Sequence, residues 1–162
     1  MILVRRIEAS DRPWVIGALE TSFGDVTVAR KGGLIDASVL PGFIASERAR
    51  FLGFLSYHVT DLECEIVVLV SFEQGRGAGR ALMDAIRLHA SEVGCSRLWL
   101  ITTNDNTRAL RFYQRWGMNL CAFHRWGVHR SRQDLKPGIP ERGDDGIPLD
   151  HELELELLLH PR

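Results

Sequence analysis

The spacing of apolar residues along the chain predicts alternating strands and helices. Short apolar or β-branched runs indicate strands, whereas apolar residues three or four positions apart indicate helices. The predicted strands span residues 2–7, 26–30, 39–45, 51–59, 62–70, 97–103 and 151–159. The predicted helices begin at Ser10-Asp11, Arg80 and Asn104, and end at Gly24, Gly94 and Gly117.

Two predicted turns organise the first half of the chain. Lys31-Gly32-Gly33 separates the strands 26–30 and 39–45, and Thr60-Asp61 closes a hairpin between the next two strands. The helix that follows the hairpin has one apolar side, formed by Leu82, Ile86, Ala90 and Val93. We therefore expect this helix to lie on the sheet with those four side chains facing inward.

The last quarter of the chain combines a segment rich in proline and glycine with a segment that alternates leucine and glutamate. Residues 127–150 contain three prolines and four glycines, so this segment is predicted to be a long loop with one helical turn near 130–135. The segment after it alternates leucine with glutamate and predicts a half-buried final strand. Its row Glu152, Glu154 and Glu156 is interpreted as solvent-facing, with attraction of a cationic amine as the alternative.

Composition narrows the functional classes. A chain of 162 residues with 45% hydrophobic and 25% charged residues suits one globular domain. A net charge of −1 argues against a general nucleic-acid-binding protein. The three cysteines are widely spaced and the six histidines lack metal-ligand spacing, so neither a disulfide framework nor a metal site is expected. Without a visible signal peptide or membrane-length apolar run, the expected location is cytoplasmic, with no membrane partner.

The candidate chemistry begins at a glycine-rich loop, Gln74-Gly75-Arg76-Gly77-Ala78-Gly79, between a predicted strand and a predicted helix. This order directs backbone N–H groups and a helix N-terminus at a phosphate. Arg80-Ala81 replaces the Lys-Ser/Thr of a nucleotide-hydrolysing P-loop, and the glycine spacing differs from that of a dinucleotide fold. From the glycines alone, a phosphate site and an unliganded turn remain equally open.

Two sequence blocks resemble one protein family. Gln74-x-x-Gly77-x-Gly79 is similar to the first signature of the GNAT superfamily of acyl-CoA N-acyltransferases. The second block resembles that superfamily's downstream motif, with Trp116 and Met118 as departures, and consists of Asn104-Asp105-Asn106, Ala109-Leu110, Phe112-Tyr113 and Trp116-Gly117-Met118. The resemblance is strong over residues 62–122 and is limited to the pattern in the N-terminal third.

The resemblance implies a fold and an activity. The fold would be α/β (α+β): a single GNAT-like domain over residues 1–162, with a central mixed, mostly antiparallel sheet of six to seven strands and helices on both faces. The cofactor would be acetyl-CoA, and the acceptor a small-molecule or peptide amine that attacks directly in a ternary complex. A non-catalytic acyl-CoA-binding sensor or scaffold is the alternative, and superfamily members are often homodimers.

The resemblance also implies the cofactor contacts. The backbone from Gly75 to Arg80 would hold the pyrophosphate, and the backbone near Leu69 would pair with the pantetheine arm. Asn104 and Asn106 would cap the helix, contact the cofactor, or do both. The expected cofactor-binding residues are Leu69, Gln74, Gly75, Arg76, Gly77, Ala78, Gly79, Arg80, Asn104, Asn106 and Tyr113.

Two proton transfers complete the expected chemistry. Tyr113 matches the superfamily tyrosine that stands beside the cofactor sulfur and can protonate the departing thiolate; packing on the helix is its alternative role. A protonated amine must lose a proton before it attacks, and a carboxylate can accept that proton. Glu65 is slightly favoured over Glu63 as this base, and a purely solvent-facing role for both acids is equally open.

Overall fold

The computed structural model describes residues 1–160. In chain order the strands are β1 (Leu3–Arg6), β2 (Thr27–Arg30), β3 (Gly33–Asp36), β4 (Gly42–Glu47), β5 (Arg50–Thr60), β6 (Glu63–Ser71), β7 (Arg97–Thr103), β8 (Asn119–His124) and β9 (Glu152–Leu158). The helices are α1 (Arg12–Phe23), α2 (Ala78–Glu92), α3 (Thr107–Trp116) and α4 (Gly127–Asp134). No helix in this part of the chain is long and apolar enough to cross a membrane.

Seven strands form the mixed, mostly antiparallel sheet that the resemblance implies, so the predicted fold class is confirmed. The described chain divides into two compact units. The first contains residues 1–27, 36–98 and those from 158 onward, and its strands follow the order β1-β4-β5-β6. The second contains residues 28–35 and 99–157, with the order β7-β9-β8 and most of the separate β2-β3 sheet.

In the first unit, two helices pack on opposite faces of β5. Trp14 of α1 contacts Phe54, with ring centroids 5.9 Å apart, and His89 of α2 contacts Tyr57 at 5.1 Å. Phe54 and Tyr57 are three positions apart on the strand, so their side chains point to opposite faces. The fully buried side chains of this unit include Leu19, Ile44, Leu52, Phe54, Leu55, Leu82, Met83 and Ile86.

The predicted apolar side of α2 is largely correct. Leu82, Ile86 and Ala90 are completely buried, as their helical spacing requires. Val93, however, is 48% exposed, because the helix ends at Glu92 and Gly94 follows with a left-handed φ of 84°. Met83, which was not among the residues predicted to face inward, is also fully buried.

Several predicted boundaries are wrong. The strand expected at 39–45 begins only at Gly42, since Pro41 lacks the N–H that a ladder needs. Gly33–Asp36, which was not predicted as a strand, pairs with β2. Strand β8 was missed. The helix expected from Asn104 begins at Thr107, and the predicted single turn near 130–135 is the full helix α4.

The final strand also differs from its prediction. Glu152 is 2% exposed and Glu154 is 6% exposed, although alternation with leucine predicts that this row faces solvent. Within the second unit β9 lies between β7 and β8, so both of its hydrogen-bonding edges are paired. The face that carries the two glutamates is covered by groups from other parts of this unit. The covering groups include Gly127, where an added Cβ would lie 2.5 Å from Glu152 Oε1.

A partly buried ion pair just before α1 makes stability depend on pH. Arg5 donates to both carboxylate oxygens of Asp11 at 2.7 and 2.9 Å, and the Glu8 backbone N–H donates to Asp11 Oδ2 at 2.8 Å. The Arg5 hydrogen bonds lower the pKa of Asp11 from its usual 3.8 to about 2. The native state therefore favours ionised Asp11, so its contribution is complete above pH 3.8 and is lost as the pH falls toward 2.

We expect Asp11→Asn to lower the free energy of unfolding by about 1 kcal/mol near neutral pH, because partial exposure of Arg5 weakens the pair through solvent screening. The deficit should vanish near pH 2, where the wild-type carboxyl is also losing its charge. Urea unfolding at several pH values measures this. Asp61→Asn, at an exposed hairpin turn, is the control; a deficit independent of pH would contradict the prediction.

Candidate functional site

The glycine-rich loop joins β6 to α2 in the first unit, as its sequence predicts. Gly75 and Gly77 have φ values of 79° and 88°, in the left-handed region that L side chains rarely adopt. Gly77 is the N-cap of α2, and the helix begins at Ala78. These two glycines let the chain reverse into the helix without a Cβ beside the backbone.

The N-terminus of α2 is open. The first N–H with an acceptor one turn back is that of Ala81, which donates to the Gly77 carbonyl at 3.0 Å. The N–H groups of Ala78, Gly79 and Arg80 precede it and have no carbonyl within the helix. Among residues 1–160, no side chain caps this end. The helix dipole adds roughly half a positive charge here, so the loop fits a pyrophosphate.

The arginine inside the loop is already paired. Arg76 makes ion pairs with Glu73 at 2.9 Å and with Glu47 at 2.5 Å. Its charge is thus balanced by two carboxylates, so the attraction of an anion to this loop rests on the helix N-terminus. Arg80 and Gln74 are exposed at the same end of α2.

Strand β6 carries a bulge that the sequence did not reveal. Ser56 of β5 lies opposite Val68, while the next residue, Tyr57, lies opposite Ile66. Val67 is therefore the extra residue of β6 against β5, and its backbone lies outside the regular ladder. The Ser56 hydroxyl beside it is completely buried and has no hydrogen-bond partner among residues 1–160. The run Ile66–Val70 contains no glycine or proline that would signal a bulge.

The bulge places the two candidate bases. Glu65 lies opposite His58, and His58 shares a face of β5 with Ser56, so Glu65 points to the Ser56 side. Glu65 is only 4% exposed, which excludes the solvent-facing role that the sequence left open for it. Glu63 lies near the strand's start, with its side chain 46% exposed and 3.6 Å from Arg97 Nη1.

Tyr113 lies on α3 in the second unit and is 8% exposed. Burial raises the pKa of its phenol above the ordinary value of 10, so the group stays protonated at neutral pH. Its ring contacts Phe112 edge-on, at 5.4 Å between centroids. In the part of the chain that the structure describes, the hydroxyl forms no hydrogen bond, so no residue in 1–160 accepts its proton.

The two asparagines have different structural roles. Asn106 is the N-cap of α3, and its side-chain oxygen accepts from the Ala109 N–H at 3.2 Å. The Asn104 side chain instead holds the segment before β9: its oxygen accepts from the N–H groups of Asp150 and His151 at 3.1 and 2.9 Å. Its amide donates to the Pro148 carbonyl at 2.8 Å.

The predicted site residues thus form two groups. The loop, Leu69 and Glu65 belong to the first unit, where β6 leads directly into the loop. Asn104, Asn106 and Tyr113 belong to the second unit, where α3 carries the tyrosine. The first group includes the uncapped N-terminus of α2, and the second includes the buried phenol of Tyr113. Their roles in binding and catalysis stay predictions.

Comparison with known proteins places this geometry in a family context. The family model described as "Acetyltransferase (GNAT) family" matches residues 9–118. The protein YdhI of Bacillus subtilis (strain 168), which is described as uncharacterized, is 35% identical over 132 residues, or 81% of this chain and 82% of YdhI.

Two solved structures have the same fold. A Bacillus subtilis acetyltransferase in complex with CoA superposes with a TM-score of 0.71 at 18% identity, covering 99% of this chain and 100% of the other. The ribosomal-protein-S18-alanine N-acetyltransferase of Escherichia coli gives a TM-score of 0.68 at 16% identity, with 100% and 96% coverage.

Proposed function

Because the chain belongs to the GNAT acetyltransferase family, we propose that it transfers an acetyl group from acetyl-CoA to a primary amine that attacks directly. The observation that carries this proposal is the uncapped N-terminus of α2 behind the left-handed Gly75 and Gly77. The CoA bound to the similar Bacillus subtilis acetyltransferase supports the choice of cofactor. A non-catalytic acyl-CoA-binding module would use the same loop, but would give Tyr113 no chemical task.

The first unit would bind the cofactor. Acetyl-CoA supplies an acetyl group activated as a thioester. The N–H groups of Ala78, Gly79 and Arg80 would donate to its pyrophosphate, where the helix dipole favours negative charge. The backbone of β6 near Leu69 would pair with the pantetheine arm, and the irregular ladder at Val67 supports this role because a bulge leaves backbone groups unpaired.

Tyr113 would supply the proton that the departing thiolate needs. Its raised pKa keeps the hydroxyl protonated across the neutral range, and no acceptor among residues 1–160 competes for that proton. A positioned side chain of this kind contributes typically about 10²- to 10⁴-fold to a rate. Tyr113 is therefore the proposed general acid.

Two of the three cysteines are unsuited to an acyl-enzyme route, which supports direct attack by the amine. Cys64 and Cys95 are buried, and burial raises the pKa of the Cys64 thiol to about 12. Burial raises the pKa of Cys95 as well. The thiolate is the nucleophilic form of cysteine, so these two thiols are poor candidates to carry an acetyl group.

The experiment that tests the function is an acceptor screen. The protein is incubated with acetyl-CoA and a panel of small amines, amino acids and peptides, and released CoA is measured with a thiol reagent. Amine-dependent release supports acetyl transfer. Tight acetyl-CoA binding without release by any amine would favour the non-catalytic module.

The assignment of Glu65 as base gives a further prediction. Glu65→Gln, which preserves shape, should lower kcat/KM about a hundredfold near neutral pH, because the attacking amine loses its proton acceptor. Glu63→Gln is the matched control on the same strand and should change kcat/KM less than twofold, since a surface ion pair contributes little. Equal effects of the two substitutions on kcat/KM would remove Glu65 from the mechanism.

A further inference from the structure

Two buried carboxylates in the second unit need an explanation. Glu152 and Glu154 are two residues apart on β9, so their side chains share one face. They are 2% and 6% exposed. Buried charges persist only with partners, because taking an ion out of water costs several kcal/mol. The groups that meet these carboxylates therefore show what this site can bind.

One partner of Glu154 is a primary ammonium. Lys31 Nζ lies 3.3 Å from Glu154 Oε1 and 4.8 Å from the centre of the Trp99 ring. His124 Nε2 also lies 3.0 Å from Glu154 Oε1. A carboxylate on one side and an aromatic face on the other is the arrangement that binds alkylammonium ions through charge and cation–π attraction.

Glu152 holds the backbone that carries this lysine. The Lys31 N–H faces both oxygens of Glu152, at 3.3 and 3.2 Å. Lys31 stands at the turn between β2 and β3, where its φ is 48° and that of Gly32 is 74°. Thus both acids contact Lys31 at the turn of the β2-β3 hairpin: Glu152 accepts from its backbone N–H, and Glu154 pairs with its ammonium.

The lysine reaches the buried acid from the solvent side. The Lys31 side chain is 42% exposed, whereas that of Glu154 is 8% exposed. The aliphatic stem and ammonium of Lys31 have the chemistry of a free alkylamine, so an alkylamine in the place of this side chain would make the same two contacts. If a ligand displaced Lys31, its ammonium would replace that of Lys31 beside Glu154 Oε1 and over the Trp99 ring, while His124 would remain on the carboxylate.

We propose that Glu154 and Trp99 form a recognition site for an alkylammonium group of the acceptor, and that Lys31 occupies this site when no acceptor is bound. The inference rests on the proposed acetyl transfer and names its substrate class. A carboxylate that pairs with an ammonium holds it in the protonated form, so the bound ammonium is not the nucleophile. The acceptor therefore carries a second amine, and its class is that of diamines and polyamines.

Binding of diaminobutane, with butylamine for comparison, tests the inference by calorimetry without acetyl-CoA. Lys31→Met keeps the aliphatic stem and removes the competing ammonium, so diaminobutane should bind about tenfold more tightly, because it no longer has to displace a charged partner of Glu154. Lys136→Met, at the other lysine of the chain, should leave this affinity unchanged. Equal diaminobutane affinities of wild type and Lys31→Met would overturn the inference.

Substitution of Glu154 or Trp99 should have the opposite effect on diaminobutane affinity. In the Lys31→Met background, Glu154→Gln should weaken diaminobutane binding about tenfold or more, while Glu156→Gln, two residues along the same strand, should not. If Glu154→Gln does not fold, Trp99→Leu replaces it, and loss of the aromatic face should also weaken diamine binding. Unchanged affinity in the folded variant would overturn the site.

The same proteins separate this inference from the proposed function. Diaminobutane should have a lower KM than butylamine in the CoA-release assay, and Lys31→Met should lower the KM for the diamine alone. Transfer to both amines with equal KM values would overturn the recognition site and leave the acetyltransferase intact. Diamine binding that depends on Glu154, without CoA release from any amine, would support the site and remove the acetyl transfer.

Discussion

Replacing Gly77 by valine should strongly weaken acetyl-CoA binding. Gly77 has a φ of 88°, where an L residue costs roughly 1–2 kcal/mol and a β-branched one is a clear outlier. The strain can relax only by turning the N-cap of α2, which redirects the N–H groups of Ala78, Gly79 and Arg80. We expect the dissociation constant to rise about a hundredfold, as loss of two charged hydrogen bonds would produce.

The control for this substitution lies at the other end of the same helix. Gly94 also has a left-handed φ, of 84°, and an added Cβ would meet nothing within 4 Å. Gly94→Val therefore carries similar backbone strain and should lower the melting temperature, but it should leave acetyl-CoA affinity intact. Calorimetry on both variants separates strain from ligand contact. Wild-type affinity in a folded Gly77→Val would refute the phosphate-loop assignment.

Tyr113→Phe should lower kcat by about 10²- to 10⁴-fold, the usual contribution of a positioned general acid. Acetyl-CoA affinity should change little, because the ring remains. Stability should also be preserved: within residues 1–160 the hydroxyl has no hydrogen bond to lose. Stopped-flow measurement of CoA release, together with urea unfolding, tests all three expectations.

The pH dependence distinguishes the acid from a packing residue. Burial raises the pKa of Tyr113 above 10, so the wild-type rate should show no alkaline decline from this group until the pH exceeds that value. Phe112→Leu, at the neighbouring aromatic on α3, serves as the packing control and should affect stability more than kcat. If Tyr113→Phe retains the wild-type kcat, the tyrosine is a packing residue and the acid is another group.

Local sequence signals predicted the elements that local chemistry controls. Gly24 follows α1 with a φ of 75°, and Gly94 follows α2 with a φ of 84°, as their positions after apolar periodic runs indicate. Strand β7 begins and ends where its β-branched run predicts. In each case, a few adjacent residues fix the backbone.

The candidate site was predicted unevenly for the same reason. The open N-terminus of α2 follows from adjacent glycines and was visible in the sequence. The bulge at Val67 depends on the pairing of β6 with β5, and the role of Asn104 depends on a segment more than forty residues later. Neither of these long-range pairings has a signal in the adjacent residues, so the bulge and the role of Asn104 could not be predicted from the sequence.

The sequence by itself determined most of the strands and helices, though not β3, β8 or the full α4. It also determined the glycine loop and the acetyltransferase resemblance, because these features depend on residues close together in the chain. Only the tertiary structure decided that Glu152 and Glu154 are buried. Alternation with leucine shows that they share a face, but not what covers it. That cover comes from Lys31 and Gly127, which are distant from Glu154 along the chain, and burial is a property of such distant neighbours.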